Sequence, residues 1–531
     1  MVTLLILLSC TSEPEPVPAA MPEMSSAELL TRLSLDLRGR RPSPEELDRV
    51  QGDPAALDAL TEEMLYDPAF EARVADLWSE VFLTRTETFY VGAEDYGLPD
   101  QATFAASVGD EPLRLLARIA AEDRPWTELV TADWTMANDT LLAAWPLQGE
   151  QGSGWRPAQY TDGRPAAGVL ATNGLWWRYT STTSNANRGR ANQISRILLC
   201  NDYLVRPIEF ERNVDLLDEE AVLDAINNNP GCVACHVSLD PIASYLYGFW
   251  TYVPDSVEEA SRYHAEREPL WSTVTGVAPS WYGQPGSSLA DLGAQIAADP
   301  RYPECAVQRT YELLLRRPVS VQDVDRLAAH REAFLDGGLT LRSLMRSVMA
   351  DPNYRAGATD AEGAVPRKMV SAELLADQVE ALTGFRWEYA GIDMMGTDSV
   401  GLRTLAGGAD GSTVAASATR PNATLVLVQE RLAQAASWYA VASEVEAERS
   451  SRSIFREVDL AAPASTDEAA SRAQIVRLHA LVLGDTVLAD GEEVEAGLAL
   501  LAELSSVGAS PPVAWAGLLS ALMRDPDFLL Y

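Results

Sequence analysis

Arg38-Gly39-Arg40-Arg41-Pro42-Ser43-Pro44-Glu45-Glu46, then a helical stretch, then Leu65-Tyr66-Asp67-Pro68-Ala69-Phe70, form a unit that the chain repeats. A second copy runs from Leu315-Arg316-Arg317-Pro318-Val319-Ser320-Val321-Gln322-Asp323 to Met349-Ala350-Asp351-Pro352-Asn353-Tyr354. A third opens a helix at Asp490-Gly491-Glu492-Glu493 and closes at Arg524-Asp525-Pro526-Asp527-Phe528. Each start pairs a cap residue with an acid three positions on: Ser43 with Glu46, Ser320 with Asp323, Asp490 with Glu493. That spacing is a capping box, in which the cap side chain and the acid satisfy orphan amides of the first helical turn. Each Asp-Pro marks a helix boundary, because the residue before proline avoids the helical region. The aromatic two residues later is expected to pack back as an anchor. A shorter echo links Ser26-Ala27-Glu28-Leu29-Leu30 with Ser371-Ala372-Glu373-Leu374-Leu375, both opening helices with apolar residues at three- and four-residue spacing. The expectation is a mainly α, multidomain helical protein. Three copies at irregular separation do not make a solenoid.

The chain has 531 residues, 47% hydrophobic and 22% charged, ordinary values for packed domains. Its charge balance is not ordinary: 77 acids against 41 bases give a net charge of -36. Such a polyanion repels nucleic acid and anionic lipid surfaces, and no basic patch offsets it, so no nucleic-acid partner is expected. Lys368 is the single lysine, which leaves Schiff-base and lysine-nucleophile mechanisms almost no candidate. The histidines are His236, His264, His330 and His479. There is no HExxH, no GxSxG and no GxxxxGK[ST], which disfavours most familiar hydrolase and kinase classes.

Residues 2–8, Val-Thr-Leu-Leu-Ile-Leu-Leu, are too short to span a bilayer but fit a signal-peptide apolar region. They end in Leu7-Leu8-Ser9-Cys10, which looks like a bacterial lipobox whose cysteine is acylated. No Arg or Lys precedes the run, and a fortuitous apolar start with a stray cysteine is the competing reading. Residues 11–24 then read as a disordered tether.

The remaining cysteines carry the chemistry. Cys232-Val233-Ala234-Cys235-His236 is the CxxCH pattern of c-type haem attachment. Two thiols at that spacing reach the two vinyl carbons on one side of the porphyrin. The adjacent histidine then falls under the iron as its proximal ligand. A thioredoxin-like redox pair is a rival reading, but it expects a strand-to-helix context. Here Ala225-Ile226-Asn227-Asn228-Asn229-Pro230-Gly231, a helix end and a loop, precedes the motif. Half of a zinc site completed by Cys200 and Cys305 is another, weakened by the lack of paired spacing.

Residues from about 100 to 355 resemble uncharacterised domains of exported planctomycete and myxobacterial proteins, among them planctomycete-type cytochrome c domains. Asp110-Glu111-Pro112-Leu113, Glu122-Asp123-Arg124 and Ala132 through Asn138 are similar to one such domain. Gly168-Val169-Leu170, Thr180-Ser181-Thr182, Arg188-Gly189 and Asn229 through Asp240-Pro241 resemble the haem-binding one. Cys305 and the Arg317-Pro318 unit through Asp351-Pro352 look like a third, helical one. The resemblance implies haem and an exported compartment rather than a reaction. Ile242-Ala243-Ser244 and Phe249-Trp250 depart from that family's pattern after the Asp-Pro, which puts different packing beside the haem.

With Cys10 assigned to lipid and Cys232 and Cys235 to haem, Cys200 and Cys305 are left, and exported cysteines tend to pair, so a disulfide is expected. For the sixth iron position the ranking is no protein ligand first, then Met394 or Met395 beside a glycine-rich loop, then Met136 in a tryptophan-rich block. The segments are expected as signal peptide 1–10, tether 11–24, N-terminal helical unit 25–90, aromatic-rich helical domain 91–165, irregular, loop-rich haem-binding domain 166–290, helical unit 291–358, and C-terminal helical domain 359–531 with a glycine-rich loop. The expected function is a lipid-anchored, exported, cytochrome-like protein with one covalent haem c. One-electron transfer with a redox partner protein at the periplasm, outer membrane or cell surface leads. A surface binding or scaffold protein with structural haem, and a haem peroxidase-like enzyme, are the alternatives, so enzyme status stays open.

Overall fold

The computed structural model describes residues 22–205, 218–249, 256–357, 367–389, 392–398, 401–411 and 413–531. The expected signal, Cys10 and most of the tether lie outside them. The described residues hold 24 α-helices and seven strands, the longest strand five residues, so the fold is mainly α. None of these helices is long and apolar enough to cross a membrane.

The repeat units fold as their caps dictate. Ser43 Oγ accepts from Glu46 N at 3.2 Å and Glu46 returns a bond to Ser43 N at 2.8 Å, opening the Pro44–Gly52 helix. Ahead of Val324–Asp336 only the acid's half of the box forms: the Asp323 carboxylate accepts from Ser320 N at 2.8 Å and from Ser320 Oγ at 2.9 Å. The third box does not form. The cap of Glu492–Ser506 is Gly491, which has no side chain to accept from the first-turn amides, and Asp490 sits one residue too early. Likewise the Ser26–Arg38 helix is capped by Ser25 rather than Ser26.

The Asp-Pro turn that carries an aromatic recurs four times, not three. Asp67, Asp299, Asp351 and Asp525 each accept, through Oδ1, the amide two residues on, at 2.8, 3.0, 2.7 and 2.8 Å. Their carbonyls accept the amides of Phe70, Tyr302, Tyr354 and Phe528, and all four rings are buried. Each is a side-chain-capped turn whose aromatic anchors a new helix into the core.

Two large cores result. The first runs from Leu29 to Tyr354 and includes Trp126, Trp176 and Trp281. Through it passes the Gln101–Ala121 helix, packed on Ala69–Phe82 and Asn173–Arg178. Gly174 permits the last approach, since a Cβ there would lie 2.2 Å from Val108 O. Fully buried Glu111 ties this helix to a three-stranded sheet. It accepts from Tyr160 Oη at 2.7 Å and Thr135 Oγ1 at 3.0 Å, and burial pushes its carboxyl up to about 7. The second core is C-terminal, built on the Ala423–Glu444 and Pro511–Leu522 helices. The glycine-rich stretch contributes a short ribbon, Glu388–Tyr389 against Ile392–Asp393, and irregular chain.

The Ser26–Arg38 helix serves both cores: Leu29, Leu30, Leu33 and Leu37 enter the first, Leu35 the second. Its Asp36, 1% exposed, is the meeting point. Lys368 Nζ pairs with Asp36 and also donates to Leu314 O at 2.9 Å. Tyr354 Oη and Tyr531 Oη donate to the two Asp36 oxygens at 2.7 and 2.9 Å. Arg32 donates to the carbonyls of the same two tyrosines, at 2.7 and 3.2 Å. Burial depresses the Lys368 ammonium to about 7 against the opposing pull of Asp36, and burial raises both tyrosines.

The unfolded lysine ionises near 10.5, so between pH 7 and 10 the unfolded chain holds more protons than the folded one at this group. Its contribution to stability therefore rises with pH across that window. Lys368→Met strands the Asp36 carboxylate and is expected to cost about 3–5 kcal/mol at pH 7 in urea unfolding. The wild-type advantage over that variant should grow from pH 7 to 10. A pH-independent difference would exclude a depressed Lys368.

Candidate functional site

The CxxCH segment opens a helix. Glu219–Asn228 ends, Asn229 caps the Pro230–Ala243 helix by accepting from Gly231 N at 2.9 Å, and Pro230 takes the first helical position, where it loses no bond. Cys232, Cys235 and His236 then fall at i, i+3 and i+4, on one face. Leu239, Ile242 and Ala243 are buried and fix the C-terminal half of the helix in the first core, and Cys235 packs against that core. Both cysteines are free thiols and half-buried. The next residue on the helix, Val237, is 66% exposed, an apolar side chain that lacks cover.

His236 is held from behind. Its Nδ1 lies 3.0 Å from Asp240 Oδ1, one helical turn on. Asp240 is itself buried and gripped by Arg188 through Nε at 2.6 Å and Nη2 at 3.2 Å. Burial pushes the Asp240 carboxyl up, but the bonds from His236 and Arg188 outweigh it and hold it below the ordinary carboxylate range. A carboxylate at Nδ1 fixes that nitrogen as the proton-bearing one and leaves Nε2 with its lone pair facing away. This is the orientation that a metal-ligating imidazole takes. Two free thiols share that face, and Val237 beside it is uncovered. The donor set fits haem c: Cys232 and Cys235 would hold its vinyl carbons and His236 its iron.

The other expected residues are spread differently. Cys200 and Cys305 are joined, with Cα atoms 5.3 Å apart, and the closed loop of 105 positions contains the whole CxxCH helix. That bond removes both from any zinc site, and no group of three or more His, Cys, Asp or Glu among the described residues is arranged to hold a metal ion. Met136 is fully buried in the Thr135–Ala137 strand. Met395 is buried in the C-terminal core, a different core from the one behind Cys235, and Met394 beside it is half-buried, its amide bonded to Trp387 O. His330 and His479 are buried on core helices. His264 is mostly covered and lies 3.1 Å from both Glu266 Oε1 and Glu259 O. The Asp240 role was missed at the sequence level, although its i+4 spacing from His236 on a helix is a usable signal; Arg188, 52 residues away, gives none.

A family model described as PSCyt2, a protein of unknown function (DUF1549), matches residues 15–139. The match takes in the first repeat unit and the Asp110-Glu111-Pro112-Leu113 and Ala132–Asn138 blocks, and it ends before the CxxCH helix. It is consistent with an uncharacterised planctomycete-type exported domain over that stretch. No curated protein and no solved structure matches.

Replacing both Cys200 and Cys305 by serine is expected to lower unfolding free energy by about 4–5 kcal/mol, because the opened loop is long. Denaturant titration of the variant against the oxidised wild type checks this. Equal midpoints would show that the bond adds nothing.

Proposed function

We propose that this protein is an exported, lipid-anchored, c-type mono-haem protein that transfers single electrons. The observation that carries the reading is the His236–Asp240–Arg188 chain directly behind a CxxCH helix. It orients an imidazole for iron where two free thiols share its face. The haem would supply one-electron chemistry, tuned by its axial ligands, burial and hydrogen bonding. The chain's own residues do the rest. Cys232 and Cys235 give the attachment sulfurs, Asp240 fixes the His236 ring and tautomer, and Arg188 keeps Asp240 ionised. The buried Leu239–Ala243 end locks the helix so that the face does not shift. The net charge of -36 steers cationic redox partners and makes their encounter salt-sensitive. Cys10, as the acylated residue, would place the protein at a membrane surface.

The test is a haem-peroxidase stain of a denaturing gel after expression in a host that matures c-type cytochromes. A band is expected for the wild type, and Cys232→Ala with Cys235→Ala should abolish it. A wild-type chain without a band ends the cytochrome reading.

A second reading, a peroxidase-like haem enzyme, is favoured by the burial of Met136 and Met395, the latter in the C-terminal core. Reduced protein that binds carbon monoxide with a visible spectral shift supports it. A ferric band near ~695 nm, lost in one methionine-to-alanine variant, would instead place a methionine on the iron and favour electron transfer.

A further inference from the structure

A second site lies far along the chain from the CxxCH helix, where the two cores face each other. A cleft of about 420 Å³ opens between the Ala69–Phe82 and Ala372–Thr383 helices. Its size falls in the ordinary range of small-molecule sites. Seven arginines and five carboxylates line it and no aromatic ring does, so a chain of charge -36 has concentrated positive charge in one concavity.

Most of these arginines are already engaged. Arg85 bridges Asp110 at 2.7 Å and Asp76 at 2.8 Å, and Arg386 grips Asp377 at 3.0 Å and Asp393 at 2.6 Å. Arg73 is different. It is 4% exposed, and its Nε donates to Leu35 O at 3.1 Å. Its two Nη groups have no hydrogen-bond acceptor and no carboxylate within 4 Å among the described residues. Neither Nη is among the sealed, partnerless polar atoms of the described residues, so the fork opens to the cleft, and the groups that match it in pairs are carboxylate and phosphate. Beside it lies Gly39, the left-handed C-cap of the Ser26–Arg38 helix at φ +69°. A Cβ there would stand 3.7 Å from Arg73 Cδ and 3.8 Å from Asp377 Oδ2. Across the cleft stands Asp377, an acid that competes with any anion seated on Arg73; burial and the charge of Asp76 push its carboxyl well above the usual range.

We propose that this cleft binds a small, non-aromatic anion through a carboxylate or phosphate head seated on the free fork of Arg73. The walls come from both cores, residues 38–114 on one side and 373–403 on the other, so a bound anion also bridges them.

Titration calorimetry on the full chain, at constant ionic strength, tests this with citrate and inorganic phosphate. Saturable 1:1 binding of at least one is expected, and which one binds tells carboxylate from phosphate. Arg73→Met should weaken it at least tenfold, and Asp377→Asn, which removes a competing acid, should tighten it several-fold. The second variant keeps the test decisive if Arg73→Met fails to fold. Absence of saturable binding for both anions in the wild type overturns the proposal. So does affinity left unchanged by Asp377→Asn, or by a folded Arg73→Met.

Discussion

The structure turns on one buried carboxylate. Asp36 gathers an ammonium and two phenols from three distant parts of the chain: the single lysine, the second repeat's aromatic anchor and the final tyrosine. A charge at that depth is costly without partners, so losing any one of the three weakens the whole junction. The Ser26–Arg38 helix that carries Asp36 feeds leucines into both cores, and Arg32 on it fastens the backbones of the same tyrosines. The cores are thereby made into one cooperative object, and the Arg73 cleft between them inherits its shape from this knot.

The CxxCH helix obeys a similar logic on a smaller scale. A cap of Asn229 and a first-turn proline set its start, three buried apolar residues set its depth, and Asp240 sets the rotation of His236. Arg188 reaches Asp240 from a neighbouring helix whose far end runs into the Cys200–Cys305 bond. The histidine's aim therefore depends on a chain of supports that ends in a covalent tie.

Local signals were legible in the sequence, and long-range ones were not. Ser43, Ser320, the Asp-Pro turns and the motif cysteines act within four or five residues, where spacing alone states the physics. Even there, placing Asp490 as a cap failed by one residue, because Gly491 occupies the cap position. The copy at Asp299-Pro300-Arg301-Tyr302 was overlooked because it precedes its Arg-Arg-Pro rather than following it. The match to residues 15–139 agrees with part of the resemblance read from the Asp110 and Ala132 blocks. The Asp36–Lys368 pair spans 332 positions, and nothing short of the fold reveals it. Loop position suggested Met394 and Met395 as ligands, but whether a loop methionine faces outward or fills a core is decided by packing alone.

The disulfide skips two intervening cysteines, and that imposes an order on thiol chemistry. As the chain is made, Cys232 and Cys235 become available to Cys200 well before Cys305 exists. Four thiols allow three pairings, and chain proximity favours the ones that are wrong for this fold. In an oxidising compartment the correct product then needs a thiolate able to attack and reshuffle the early bonds. Prior capture of Cys232 and Cys235 as thioethers would leave Cys200 a single partner. Maturation of one thiol pair would thus edit the choices open to the other.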